Sequence, residues 1–158
     1  MFENFLKGDD ELFLSSLLAM MIREDGSAYK RIANLANIAA AIYSYLDNLN
    51  WAGFYLYDGE RLVLGPFIGE PACTLIDLSR GVCGSAAQKK ESIVVEDVSL
   101  FPGHIACSSL SRSELVVPII MNDELYGVID LDSPVLSRFT LSDKMLIERI
   151  AKLVSSLN

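Results

Sequence analysis

A chain of 158 residues with 51% hydrophobic side chains and a formal charge of −8 is the size of one domain and can bury a sizeable core. The charge, with no lysine or arginine cluster to reverse it locally, repels phosphate backbones and argues against nucleic acid as a partner. The longest apolar runs, such as LVVPIIM at 115–121, fall far short of the roughly 20 residues that span a bilayer, so no membrane crossing is expected.

The N-terminus, MFENFLKGDDELF, carries acidic residues where a secretory signal would be positive, which points to the cytoplasm. Three cysteines, Cys73, Cys83 and Cys107, are an odd number and do not suggest a permanent disulfide framework. Their spacings do not resemble zinc-site pairs, and His104 is the single histidine, so no metal centre is expected. The apolar excess implies either a large core or an apolar face covered by a partner, a homodimer being one such arrangement.

In chain order, Leu12 to Arg23 reads as an apolar helix stopped by Gly26. From Ala28, the positions Ile32, Leu35, Ala36, Ala39, Ile42, Tyr43 and Leu46 form the stripe of an amphipathic helix. Trp51 to Tyr57 has the aromatic content of a strand, Asp58-Gly59 signals a hairpin, and Leu62 to Ile68 returns. Pro66 cannot donate to a ladder, so this strand is expected to lie at an edge or to bulge there. Cys73 follows in an irregular stretch, and Arg80 to Lys90 reads as a glycine-opened helix with Cys83 in its first turns. The positive end of that helix dipole favours thiolate at Cys83. Ile93 to Glu96 is a short strand, and 97–113 is a long connection of the kind that tends to be functional.

The stretch from Phe101 to Asp132 carries the chemistry. Cys107 sits in a polar loop, and two apolar strands, Leu115 to Ile120 and Leu125 to Leu131, meet at Asn122-Asp123 as a hairpin. Glu114 enters that hairpin, and Asp130 and Asp132 leave it on one face, since strand side chains alternate. A last helix opens with a capping-box pattern at Thr140 to Asp143 and continues through Leu146, Ile150, Leu153, Val154 and Leu157. Hairpins with helices gathered at both chain ends predict an α+β fold: one antiparallel sheet with the terminal helices on one face and the long loops on the other.

The motifs NWAGFYLY, LGPFIGEPAC, SRGVCGSAA, FPGHIAC, SRSELVVPI and GVIDLDSP together resemble the free methionine-(R)-sulfoxide reductases, a family built on a single GAF domain. The resemblance runs in order from about Ala28 to the C-terminal helix, leaving residues 1–25 as a helical segment of the same domain, 1–158. It implies reduction of free L-methionine (R)-sulfoxide to methionine with no cofactor. By motif, Cys107 is the nucleophile that becomes a sulfenic acid, Cys73 the resolving thiol that forms a disulfide with it, and Cys83 a further family cysteine. Thioredoxin is the implied reductant. Trp51 and Tyr55 match positions that wall the substrate's methylthio end.

The residue chemistry is consistent with that reading. A thiol near its ordinary pKa is only about 3% thiolate at pH 7 and needs local help. Carboxylates do not supply it, because they disfavour a nearby anion. They make sense as acids, since sulfoxide oxygen leaves poorly unless protonated and clustered carboxyls share protons. Glu114, Asp130 and Asp132 are therefore expected to bind or protonate that oxygen and to hold the substrate ammonium. The rival reading is a GAF-type binding or redox-sensing module without turnover, which the fold alone does not exclude.

Hairpin register decides whether the three acids form one site. A two-residue turn at Asn122-Asp123 makes paired numbers sum to 245, setting Glu114 opposite Leu131 and away from both aspartates. A shared acidic face needs an even sum. An odd loop or a bulge before Asp130 is therefore expected, with Leu125, Ile129 and Leu131 turned toward the helices.

Overall fold

The computed structural model describes residues 7–103 and 109–157. The described residues form α1 (Asp10–Met20), α2 (Ala28–Tyr45), β1 (Trp51–Tyr57), β2 (Arg61–Gly69), β3 (Leu75–Asp77), α3 (Gly81–Lys89), β4 (Ile93–Val95), β5 (Ser113–Met121), β6 (Glu124–Ser133) and α4 (Leu141–Ser155). The six strands make one sheet in the order β3-β2-β1-β6-β5-β4, with every neighbouring pair antiparallel. The expected α+β architecture is observed. β3 is the element that sequence periodicity missed, because three residues carry no readable alternation.

Each face of the sheet has its own core. On one, α1, α2 and α4 pack Phe13, Leu35, Ile38, Ile42, Ile147 and Ile150 against Ala52, Phe54, Leu115, Val117, Ile129 and Leu131. On the other, α3 packs Val82, Cys83 and Ala86 over Trp51, Tyr55, Val116 and Val128. α3 can lie this low because Gly84 has no side chain: a Cβ there would sit 2.3 Å from the Asp77 carbonyl oxygen.

α1 ends three residues before the expected Arg23. The Asn34 amide captures both backbone groups of Ile22, accepting from its N–H at 2.9 Å and donating to its carbonyl at 2.7 Å, which holds the chain in an extended path. Asn34 is accordingly buried in α2. Ile32, placed on the buried stripe by periodicity, is 55% exposed. α4 begins as predicted, with reciprocal bonds between Thr140 and Asp143.

Both hairpins depart from regular ladders where the sequence asks them to. In β2, Gly65 and Pro66 lie opposite Phe54, so the register shifts between Gly53 and Tyr55. Both alternatives hold: the strand bulges there, and because β3 covers only Arg61 to Val63, Pro66 also lies on an edge that no further strand among the described residues pairs with. In the central hairpin Met121 pairs with Glu124 and Ile120 with Leu125, but Ile119 pairs with Gly127. Asn122 and Asp123 both have positive φ, 50° and 66°, the requirement of a two-residue hairpin turn. The odd sum next to the turn becomes 246 beyond Tyr126, and Glu114 lies opposite Asp132. The bulge before Asp130 is therefore present. Ile129 and Leu131 face the helices, whereas Leu125 packs on the opposite core, because it precedes the bulge that flips the strand.

Candidate active site

The register builds an acidic floor from three adjacent strands. Trp51 of β1 stands opposite Asp132 of β6, which stands opposite Glu114 of β5; one step along, Gly53 is opposite Asp130 and Asp130 opposite Val116. Paired residues share a face, so Trp51, Asp132, Glu114 and Asp130 point together, with Tyr55 two residues on. Trp51 stacks between Tyr55 and Phe67, with ring centroids 5.9 and 5.2 Å away. Gly53 leaves room for this stack, since a Cβ there would lie 2.7 Å from the indole ring and 2.4 Å from the Phe67 Cβ.

Residues 70–72 and the amino end of α3 complete a pocket. Its lining includes Trp51, Tyr55, Glu70, Arg80, Cys83, Ser111, Glu114, Asp130 and Asp132. The two aromatics also hold that loop in place: the Trp51 indole N–H donates to the Glu70 carbonyl at 3.1 Å, and the Tyr55 hydroxyl donates to the Cys73 carbonyl at 3.0 Å. Polar tips on apolar rings suit this double task of wall and anchor.

Burial sets the electrostatics. Glu114 and Asp130 are each 6% exposed, and desolvation, reinforced by neighbouring carboxylate charge, holds both well above the ordinary carboxylate range. Burial lifts Asp132 to about 6 against the opposing influence of the Ser111 hydroxyl. Three like groups in so small a volume share protons and titrate as one unit. The arrangement is a store of protons facing a pocket, in which Asp132 is the first to ionise.

Cys83 reverses the thiolate expected from its place in α3. Its thiol is buried and its pKa is pushed well up, by desolvation first and then by Asp130 and Glu114; its Sγ lies 3.9 Å from Glu114 Oε1 as a weak donor. Low polarisability of the surroundings and nearby negative charge outweigh a helix-end effect that is worth about 0.3–1 kcal/mol when exposed.

Six of the eight site residues predicted from sequence, Trp51, Tyr55, Cys83, Glu114, Asp130 and Asp132, line the one pocket. Cys73 directly follows the lining residues Glu70, Pro71 and Ala72 and is disulfide-bonded, whereas Cys83 is free. Cys107, together with His104, lies outside the described residues. Glu70, Arg80 and Ser111 line the pocket without having been singled out. Glu70 and Arg80 stand inside the motifs that carry Cys73 and Cys83, and that adjacency was the available signal.

The sequence profile of the GAF domain matches residues 31–156. The free methionine-R-sulfoxide reductase of Escherichia coli is 43% identical over 129 residues, covering 79% of this chain and 78% of that protein. The chain belongs to the free methionine-R-sulfoxide reductase family of GAF-domain proteins. The Saccharomyces cerevisiae free methionine-R-sulfoxide reductase is 41% identical over 154 residues, covering 92% of this chain and 85% of that protein. The free methionine-R-sulfoxide reductase of Neisseria meningitidis, solved in complex with its substrate, superposes with a TM-score of 0.88 at 38% identity, covering 99% of this chain and 95% of that one.

Proposed function

We propose that Cys107, Cys73 and the acidic floor carry out the reduction of free methionine (R)-sulfoxide to methionine. The chain is an oxidoreductase of that class by family membership. In the first step the Cys107 sulfur attacks the sulfoxide sulfur, the oxygen passes to the cysteine, and methionine leaves while Cys107 becomes a sulfenic acid. In the second, the Cys73 thiol displaces that oxygen as water and a disulfide forms. A dithiol, with thioredoxin as the expected one, returns both cysteines to thiols.

One observation supports the acid role above all: Glu114 opposite Asp132, with Asp130 beside them on the same face, buried and biased toward the protonated form. A neutral carboxyl can donate to the sulfoxide oxygen as negative charge develops there, and a second, ionised one can hold the substrate ammonium. Arg80 at the pocket rim is placed to receive the substrate carboxylate. Trp51 and Tyr55 supply the apolar wall for the methylthio end. The raised pKa of Cys83 makes it a poor first nucleophile, and the disulfide-bonded state of Cys73 agrees with a resolving role for that residue.

Rapid mixing with resolved R and S free sulfoxide tests the assignment. Cys107→Ser is expected to release no methionine, and Cys73→Ser to release about one equivalent and then stall, because the nucleophile acts before the resolver. A peptide containing methionine sulfoxide is expected to be poor by several kcal/mol, since neutral amides leave buried charged partners unsatisfied. Multiple turnovers by Cys107→Ser, or normal thioredoxin-coupled cycling by Cys73→Ser, would overturn the respective role.

A further inference from the structure

Three atoms of metal-ligand type converge at the pocket floor: the Sγ of Cys83, one carboxylate oxygen of Glu114 and one of Asp130 all lie within 4.8 Å of one another. The proposed disulfide cycle makes no use of Cys83, yet its thiol is buried in the pocket wall beside two carboxyls. Asp130 Oδ1, fully enclosed, has no hydrogen-bond partner among the described residues. A buried carboxylate oxygen left unsatisfied is costly and marks a position suited to a cationic or donor group.

We propose that Cys83, Glu114 and Asp130 bind one divalent cation of borderline softness, Zn2+ or Cd2+ in type, in competition with the sulfoxide substrate. Zinc bonds of about 2.3 Å to sulfur and about 2.0–2.2 Å to carboxylate oxygen put tetrahedral ligand atoms about 3.6 Å apart. The 3.9 Å separation of Cys83 Sγ from Glu114 Oε1 is within a small side-chain rotation of that value, and no other gap exceeds 4.8 Å. The thiolate selects against Mg2+ and Ca2+, which want six or more oxygens. Three protein ligands leave the fourth position open toward the pocket, where substrate enters, and Asp132 stands next to it. The cation replaces protons as the means of relieving repulsion between the carboxylates, so its binding is coupled to proton release. Turnover is thereby blocked reversibly when such a cation is available.

The test uses the oxidised full chain, in which Cys73 is disulfide-bonded and Cys83 free, titrated with Cd2+ while thiolate-to-metal absorption is followed. One equivalent per chain is expected, with the band lost in Cys83→Ser and the affinity weakened at least tenfold in Asp130→Asn. Excess free methionine sulfoxide is expected to weaken the apparent affinity. No band in the wild type, a band unchanged in both variants, or displacement of Cd2+ by equimolar Mg2+ overturns the site; the Asp130 variant and the Mg2+ comparison decide it if Cys83→Ser does not fold. Turnover is measured separately on chelator-treated protein. Turnover without a Cd2+ band removes the cation site alone, and a band without turnover removes the sulfoxide reading alone.

Discussion

Asp132 shows how a single side chain links the site to stability. Its pKa rises from 3.8 in the absence of the fold to about 6 within it, chiefly through burial. Below the unfolded value both states are protonated and the side chain costs nothing. As pH rises from about 4 to 6 the unfolded chain ionises first, so folding stability falls and then stays low once the folded carboxyl has ionised. Glu114 and Asp130 shift in the same direction, so thermal stability of the wild type is expected to decline between pH 4 and 7. Asp132→Asn is close to isosteric and removes the titration. It is expected to raise the melting temperature at pH 7.5 and to leave it unchanged at about pH 3, with a gain of at most about 3 kcal/mol from a shift of roughly two units. An equal gain at both pH values would mean that the substitution acts through packing. Methionine release should suffer in the same variant, since the residue that costs stability is one of the three carboxyls proposed to bind the substrate or protonate its oxygen.

At the scale of the element, the central hairpin was legible as a contradiction. Alternation puts Leu115, Val117, Ile129 and Leu131 on the apolar face and Glu114, Asp130 and Asp132 on the other, which demands an even register, while Asn122-Asp123 demands an odd one. The conflict foretold a bulge but not its position, because whether Tyr126 stacks behind Arg31 of α2, with its guanidinium carbon 5.5 Å from the ring centroid, depends on a residue 95 places away. Leu125 went to the wrong face for the same reason. Cys83 was misjudged because its neighbours Glu114 and Asp130 come from strands that follow it in sequence, whereas the helix end is local. Deleting Tyr126 gives a direct check. The ladder becomes regular, the renumbered sum returns to 245, and Glu114 still faces Asp132, so single-turnover methionine release is expected to persist in a less stable protein. Inserting one alanine between Tyr126 and Gly127 turns both aspartates toward the helices and is expected to abolish release. Folded deletion protein without activity would assign Tyr126 more than a structural role.

For the whole molecule, one sheet serves two purposes because its faces are independent. The helix-covered face holds the larger core, and the other face can afford buried acids and thiols. Among the described residues no helix is long and apolar enough to cross a membrane. The net charge of −8 has different consequences for the two halves of the proposed cycle. Free methionine sulfoxide is a zwitterion with no net charge near neutrality, so the long-range field neither steers nor repels it. Asp132, the pocket acid that ionises first, is a short-range partner for its ammonium, whereas Glu114 and Asp130 add little as long as they remain protonated. The second-order rate of methionine release is therefore expected to change by less than about twofold when ionic strength rises from 0.01 to 0.15 M, over which the screening length falls from about 30 to 8 Å. Reduction of the disulfide by a protein carrying net negative charge is expected to speed up over the same range as mutual repulsion is screened, and a small neutral dithiol should show no such change. A steep fall of methionine release with salt would mean that Glu114 and Asp130 also meet the substrate ionised, in conflict with proton donation by either of them. Stopped-flow measurement of both half-reactions on the same preparation separates the field of the molecule from the charge state of its site.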